Sequence, residues 1–210
     1  KDRKMQNEKI LILGDSYSTF QGYNPVGYDI FYPCNDVTKV SETWWDMLAK
    51  ETNSEIILNN SWSGSTICNT GYNGDCSKTS SFICRLSKLV DEGFFERNKI
   101  DRVFVFGGTN DSWTENIPGE IIYENWIEDD LKSVLPGISC FMSKLTETVP
   151  KEKIHFIINT GLREEISCGI IKICNHYGVG FTVLSDIDKK DGHPTYRGMI
   201  SIKNQVLSSI

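Results

Sequence analysis

No stretch of this 210-residue chain stays apolar long enough to cross a bilayer as a helix, so membrane insertion is not expected. No C-x-x-C pair occurs, which leaves zinc-ribbon and thioredoxin-type readings without support. No Walker sequence and no G-x-G-x-x-G fingerprint are present, which disfavours nucleotide and dinucleotide cofactors. Histidine is scarce, with three residues at His155, His176 and His193, and no His/Cys/Asp group has metal-ligand spacing; no metal and no cofactor are expected. Basic charge is in deficit, 22 Lys and Arg against 28 Asp and Glu. The resulting charge of -6 is spread along the chain, which argues against nucleic acid or an anionic membrane surface as a partner. Internal repeats and low-complexity linkers are also lacking, which implies one domain over residues 1–210.

The composition is that of a soluble globular protein, 39% hydrophobic and 24% charged. A chain of this length can bury a core without disulfide or metal support. Seven cysteines are an odd number; Cys68 and Cys76 flank a Gly/Asn-rich loop and could pair in an oxidising compartment, but free thiols are favoured. The sequence begins at Lys1 without methionine and has no signal-peptide core. Either Met5 is near a native start or an upstream segment has been removed, so cytoplasm and periplasm or secretion all stay open.

Short apolar runs recur at Lys9 to Gly14, Glu55 to Asn59, Arg102 to Phe106, Lys153 to Asn159 and Gly180 to Leu184. Runs of this kind read as strands buried on both faces, as in a parallel sheet. Helical spacing is found over Ser41 to Glu51, Ser81 to Glu92, a segment started by Pro136, Glu164 to Tyr177 closed by Gly178, and Tyr196 to Val206. The alternation predicts one α/β domain. Two stretches, Phe20 to Val40 and Asp111 to Ile127, are too long to be plain connections, and such loops are usually functional.

Open parallel sheets build their sites at the carboxyl ends of the strands. Those ends carry Ser16 in GDSYS, Gly64 in SWSGST, Asn110 in GGTND and, after the fifth run, His193 in GHPT. A serine, a histidine and donors for an oxyanion are what acyl transfer requires. These blocks resemble, in order, the signature blocks of the SGNH (GDSL-like) hydrolases, over nearly the whole chain. The aromatic loop GYNPVGYDIFYP and the TWWDML helix are similar to a bacterial esterase branch of that superfamily.

The resemblance, with the strand pattern, implies a three-layer α/β/α flavodoxin-like fold with a five-stranded parallel sheet. It implies Ser16 as nucleophile and His193 as general base, then acid. The Ser16 and Gly64 backbone N–H groups and the Asn110 amide would form the oxyanion hole. One departure is clear: the family's aspartate three residues before the histidine is replaced by Lys190. Asp191 is favoured as the third member, over Asp188 and over a backbone acceptor.

Simpler readings exist for each residue. Ser16 could start a helix, Asn110 could be a turn residue, and Asp15 reads as a structural cap. His155 and His176 read as structural, Trp44 and Trp45 as core. Trp62 and Trp113 adjoin Gly64 and Asn110 and either line a substrate pocket or pack loops. The expected function is a serine esterase acting on short-chain, O-acetyl, carbohydrate-type esters. The alternatives are a thioesterase or lysophospholipase of the same fold and a non-catalytic carbohydrate-binding domain.

Overall fold

The apolar run at the N-terminal end becomes β1 (Lys9–Gly14), followed by α1 (Trp44–Glu51), β2 (Glu55–Ser61) and a small hairpin, β3 (Thr70–Gly71) with β4 (Gly74–Asp75). Next come α2 (Phe82–Asp91), α3 (Phe94–Arg97), β5 (Arg102–Phe106), α4 (Thr109–Trp113) and α5 (Val134–Thr148). The chain closes with β6 (Ile154–Ile158), α6 (Glu164–Tyr177), β7 (Gly180–Val183), a second hairpin of β8 (Lys189–Lys190) and β9 (His193–Pro194), and α7 (Tyr196–Ser208). This computed structural model describes residues 5–210; the start at Lys1 lies outside them.

Five strands form one all-parallel sheet in the order β2-β1-β5-β6-β7, the flavodoxin-like arrangement. Alternation along each strand explains why the runs read as continuously apolar. Leu11 and Leu13 of β1 and Val103 and Val105 of β5 face one core, with residues of α2, α5 and α6. Ile10 and Ile12, with Phe104 and Phe106, face the other, with α1 and α7. Both faces are covered, which is why the strands are apolar along most of their length. Truncating one of these fully buried aliphatics to alanine costs about 2–5 kcal/mol.

Local chemistry sets the helix ends. The Ser81 hydroxyl accepts from the Cys84 N–H at the start of α2, and Thr195 accepts from the Gly198 N–H at the start of α7. Gly178 closes α6 in the left-handed conformation, φ 67°, as its position in the sequence predicts. Two expectations shift. The segment Ser41 to Glu51 divides into a 3-10 turn, Val40–Glu42, and α1, because Thr43 caps the helix. Pro136 does not open α5, which starts two residues earlier behind Ser133; proline is tolerated in that first turn because its missing N–H would have no helical acceptor. The cysteines are free thiols, Cys68 and Cys76 among them.

The β1/β5 boundary is where the chain's direction across the sheet reverses. Loops leaving β1 and β5 there diverge to opposite faces and open a crevice at the strands' carboxyl ends. Ser16 follows β1, Gly64 follows β2 and Asn110 follows β5, so the fold itself gathers them.

Candidate active site

Ser16 opens a single 3-10 turn, Ser16–Ser18, directly after β1. The Asp15 carboxylate caps that turn by accepting from the Tyr17 N–H at 3.1 Å, as a structural cap would. Gly14 is glycine because a Cβ there would lie 2.7 Å from the Ser61 hydroxyl and 2.9 Å from the Ser18 Cβ. His193 reaches back across the crevice, and its Nε2 lies 3.0 Å from the Ser16 Oγ.

The hairpin that carries His193 corrects one expectation. Asp191 and Gly192 are its two turn residues, both with positive φ (50° and 78°), as in a type I′ turn. That geometry aims the Asp191 main-chain carbonyl, not its carboxylate, at the imidazole, and Nδ1 lies 3.1 Å from this oxygen. The expected Asp191 carboxylate is therefore not the ring's partner; the tight turn leaves its side chain no hydrogen bond to His193 among the described residues. Asp188 is engaged elsewhere, accepting from the Thr195 hydroxyl.

Three aromatic rings surround the imidazole. Phe31 stacks on it with centroids 3.6 Å apart and planes 8° apart, while Tyr17 and Trp113 approach at 5.5 and 5.8 Å. Burial under these rings lowers the His193 pKa, and the nearby Lys189 ammonium lowers it further; the Asp191 carbonyl opposes both.

Gly64 sits at φ 80° in the turn that leaves β2, a conformation glycine adopts without strain, and open space lies where its Cβ would be. Neither its N–H nor that of Ser16 has an acceptor among the described residues. Asn110 lies in the first turn of α4. Its Nδ2 donates to the Ser65 carbonyl (2.9 Å) and its Oδ1 accepts from the Tyr72 hydroxyl (3.0 Å), which fixes the amide and leaves one N–H free. Two unpartnered backbone N–H groups, one amide N–H and a histidine-paired hydroxyl thus meet at one edge of the sheet. Such a set can activate a hydroxyl and stabilise an oxyanion.

Beneath this edge three titratable side chains, Asp15, Arg85 and Asp111, are buried. Arg85, 1% exposed, donates to the Gly14, Asn60 and Ser80 carbonyls, the Asn60 Oδ1 and the Ser65 hydroxyl, tying together the turns after β1 and β2. Asp111 accepts from the Ile67 and Cys68 N–H groups. Burial pushes the Asp15 carboxyl up to about 7, with Asp111 adding to the rise, and lowers Arg85 to about 10.

Trp62 stacks on Tyr28 (4.2 Å) and donates from Nε1 to Asp29 (3.3 Å). It lines a cavity of about 230 Å³ beside Gly64, together with Asp29, Tyr72, Asn73 and Asp75. Trp113 is 41% exposed and its ring lies over Gly192. His155 and His176 stand apart: the first is buried against Thr182 and lowered to about 4 by burial, the second stacks on Tyr123.

Tyr17, Phe31, Tyr32, Tyr72 and Lys189 were not singled out by sequence reasoning. The aromatic loop stands out in the sequence only as a whole, and nothing there tells which of its rings meets His193. Among the described residues, no group of three His, Cys, Asp or Glu side chains could hold a metal ion, and no helix is long and apolar enough to cross a membrane.

Residues 8–210 match the model of the GDSL-like Lipase/Acylhydrolase family. A solved structure of a protein assigned as a GDSL-like lipase from Bacteroides ovatus is 42% identical, with a TM-score of 0.87 over 96% of both chains. A second, from Bacteroides uniformis, is 41% identical, with a TM-score of 0.89 over 97% of this chain and 95% of the other. A family two carbohydrate esterase from Clostridium thermocellum, in complex with cellohexaose, shares the fold at 16% identity, with a TM-score of 0.63 over 99% of this chain and 65% of that one. No curated protein matches the chain. With the family model covering almost its whole length and two relatives above 40% identity, the chain belongs to the GDSL-like lipase/acylhydrolase family of ester hydrolases.

Proposed function

We propose that the chain is a serine esterase that removes short acyl groups, acetyl foremost, from carbohydrate-type alcohols. The observation that carries this reading is the Ser16 Oγ held 3.0 Å from the His193 Nε2, beside two backbone N–H groups that have no acceptor among the described residues. His193 takes the Ser16 proton as Oγ attacks the ester carbon. The tetrahedral oxyanion accepts from the Ser16 and Gly64 N–H groups and the free N–H of Asn110. Collapse breaks the bond to the alcohol, which leaves with the proton from Nε2. A water deprotonated by His193 then cleaves the acyl-serine and frees the acid.

The imidazolium formed on the way is stabilised by the Asp191 carbonyl on Nδ1–H and by the face of Phe31, a cation–π contact. The pair works as a Ser–His dyad whose acceptor is main chain. The proposed chemistry is carried by side chains and main chain of this protein alone.

The cavity beside Gly64 supports the substrate class. At about 230 Å³ it suits a small group, and its lining combines rings (Trp62, Tyr72) with polar side chains able to bond sugar hydroxyls (Asp29, Asn73, Asp75). The Trp113 ring lies on the hairpin side, against Gly192 and His193. A lysophospholipase or acyl-CoA thioesterase needs a longer apolar groove, and carboxylates at this rim repel the phosphates those substrates carry. A panel of acetylated oligosaccharides, acyl-CoA and lysophospholipids is the test. The acetylated sugars should give the highest kcat/KM. Preference for acyl-CoA or lipid would move the chain to the thioesterase or lysophospholipase reading. Binding of oligosaccharide without turnover of any ester would make it a carbohydrate-binding domain.

A further inference from the structure

Among the described residues no carboxylate bonds His193, and the aim of its ring depends on the backbone of a hairpin with only two residues in each strand. A ribbon that short has little stability of its own. Two tyrosines grip it on both sides of the histidine. The Tyr17 hydroxyl donates to the Gly192 carbonyl, and the Tyr32 hydroxyl donates to the Pro194 carbonyl at 2.7 Å. Both tyrosines are 0% exposed, so the hydroxyls cannot swing away. Burial also pushes both phenols above their ordinary range, which keeps each a proton donor at any working pH.

Their positions in the chain matter as much as their bonds. Tyr17 is the residue after Ser16 in the same 3-10 turn, so the hydroxyl that attacks and the hydroxyl that grips the hairpin ride on one rigid piece. Tyr32 is the residue after Phe31, whose ring stacks on the imidazole. One neighbour holds the ring face while the other holds the backbone. Lys189, at the start of the hairpin, is fixed in turn to Thr160 (2.7 Å) and Asn159 (3.2 Å).

We infer that Tyr17 and Tyr32 are positioning residues: their hydroxyls fix the main chain on either side of His193 and thereby replace the missing triad acid in aiming the imidazole at Ser16. The inference rests on the serine-esterase reading above. A misplacement of about 1 Å in a reacting group can cost about a hundred-fold in rate, so a modest loosening of the hairpin is felt in kcat.

Tyr17→Phe and Tyr32→Phe remove one hydroxyl each and keep the buried rings. Each is expected to lower kcat for p-nitrophenyl acetate about ten- to a hundred-fold with KM unchanged. The double variant should lose less than the product of the single losses, because both act on one element. Labelling of Ser16 by a fluorophosphonate should slow in parallel. The 15N shifts of the His193 ring should report one tautomer, protonated on Nδ1, in the wild type and a mixture in the variants. If Tyr17→Phe melts below the assay temperature, Tyr32→Phe and the tautomer of the wild type carry the test. Wild-type kcat and a single tautomer in both variants would overturn the clamp while the esterase stands. A tautomer mixture in the wild type would also overturn it. Failure of the esterase reading looks different: wild-type protein with neither hydrolysis nor labelling.

Discussion

Replacing Asn110 with alanine separates transition-state binding from substrate binding and from folding, because the amide's bonds can be counted. One Nδ2 hydrogen is used on the Ser65 carbonyl at 2.9 Å, Oδ1 takes the Tyr72 hydroxyl at 3.0 Å, and the second Nδ2 hydrogen is free for the oxyanion. Deleting one such donor costs about 2.7–4 kcal/mol in the transition state, or about a hundred- to a thousand-fold in kcat. The folded state also loses the Ser65 bond. Ser65 is 1% exposed, so its carbonyl goes unsatisfied, at about 1–3 kcal/mol. Tyr72 is 55% exposed and rehydrates at little cost. Stability should thus fall by about 1–3 kcal/mol, a few degrees in Tm for a chain of this size. Steady-state kinetics on p-nitrophenyl acetate, with a thermal melt on the same sample, measure both. A kcat reduced about a hundred-fold or more at constant KM is the expected outcome. A rise in KM at unchanged kcat would refute the oxyanion assignment and make Asn110 a ground-state contact.

Three further outcomes are expected. Asp191→Asn should leave kcat within about three-fold of wild type, since the acceptor is the carbonyl and asparagine tolerates the left-handed turn; a loss of orders of magnitude would restore the carboxylate as a triad acid. The acid limb of kcat/KM should lie below the ordinary histidine range, because burial lowers His193 and activity is lost only as pH falls through that lowered value; Lys189→Met should move the limb upward, and an unmoved limb would exclude the charge effect. Asp15 has a folded-state pKa raised to about 7 from 3.8, so its contribution to stability is present below about pH 4 and is lost as pH rises through 7; Tm of wild type relative to Asp15→Asn should fall between pH 4 and 8, and a constant difference would contradict the buried-acid assignment.

The sheet was legible because period-two burial on both faces leaves an unmistakable trace: Lys9–Gly14 and Arg102–Phe106 coincide with β1 and β5 to the residue. That Ser16, Gly64, Asn110 and His193 meet at one edge of the sheet was legible because each follows a strand end or a glycine turn. The partner of His193 was misread for a physical reason. Sequence offers carboxylates and cannot weigh a peptide carbonyl, which every residue has. Here Asp191-Gly192 signals a type I′ turn as strongly as it signals an acid, and turn geometry decides which oxygen meets the ring. Tyr17 and Tyr32 were missed because their value lies in contacts 175 and 162 residues away along the chain, which no local pattern encodes.

The central claim is that Ser16, activated by His193, forms the acyl-enzyme. Incubation with a fluorophosphonate followed by peptide mass spectrometry tests it most directly, with Ser16→Ala and His193→Ala alongside. A single adduct on Ser16 is predicted, absent in Ser16→Ala and strongly slowed in His193→Ala, with esterase turnover lost in both folded variants. An adduct on another residue, or a folded Ser16→Ala protein with wild-type turnover, would contradict the account.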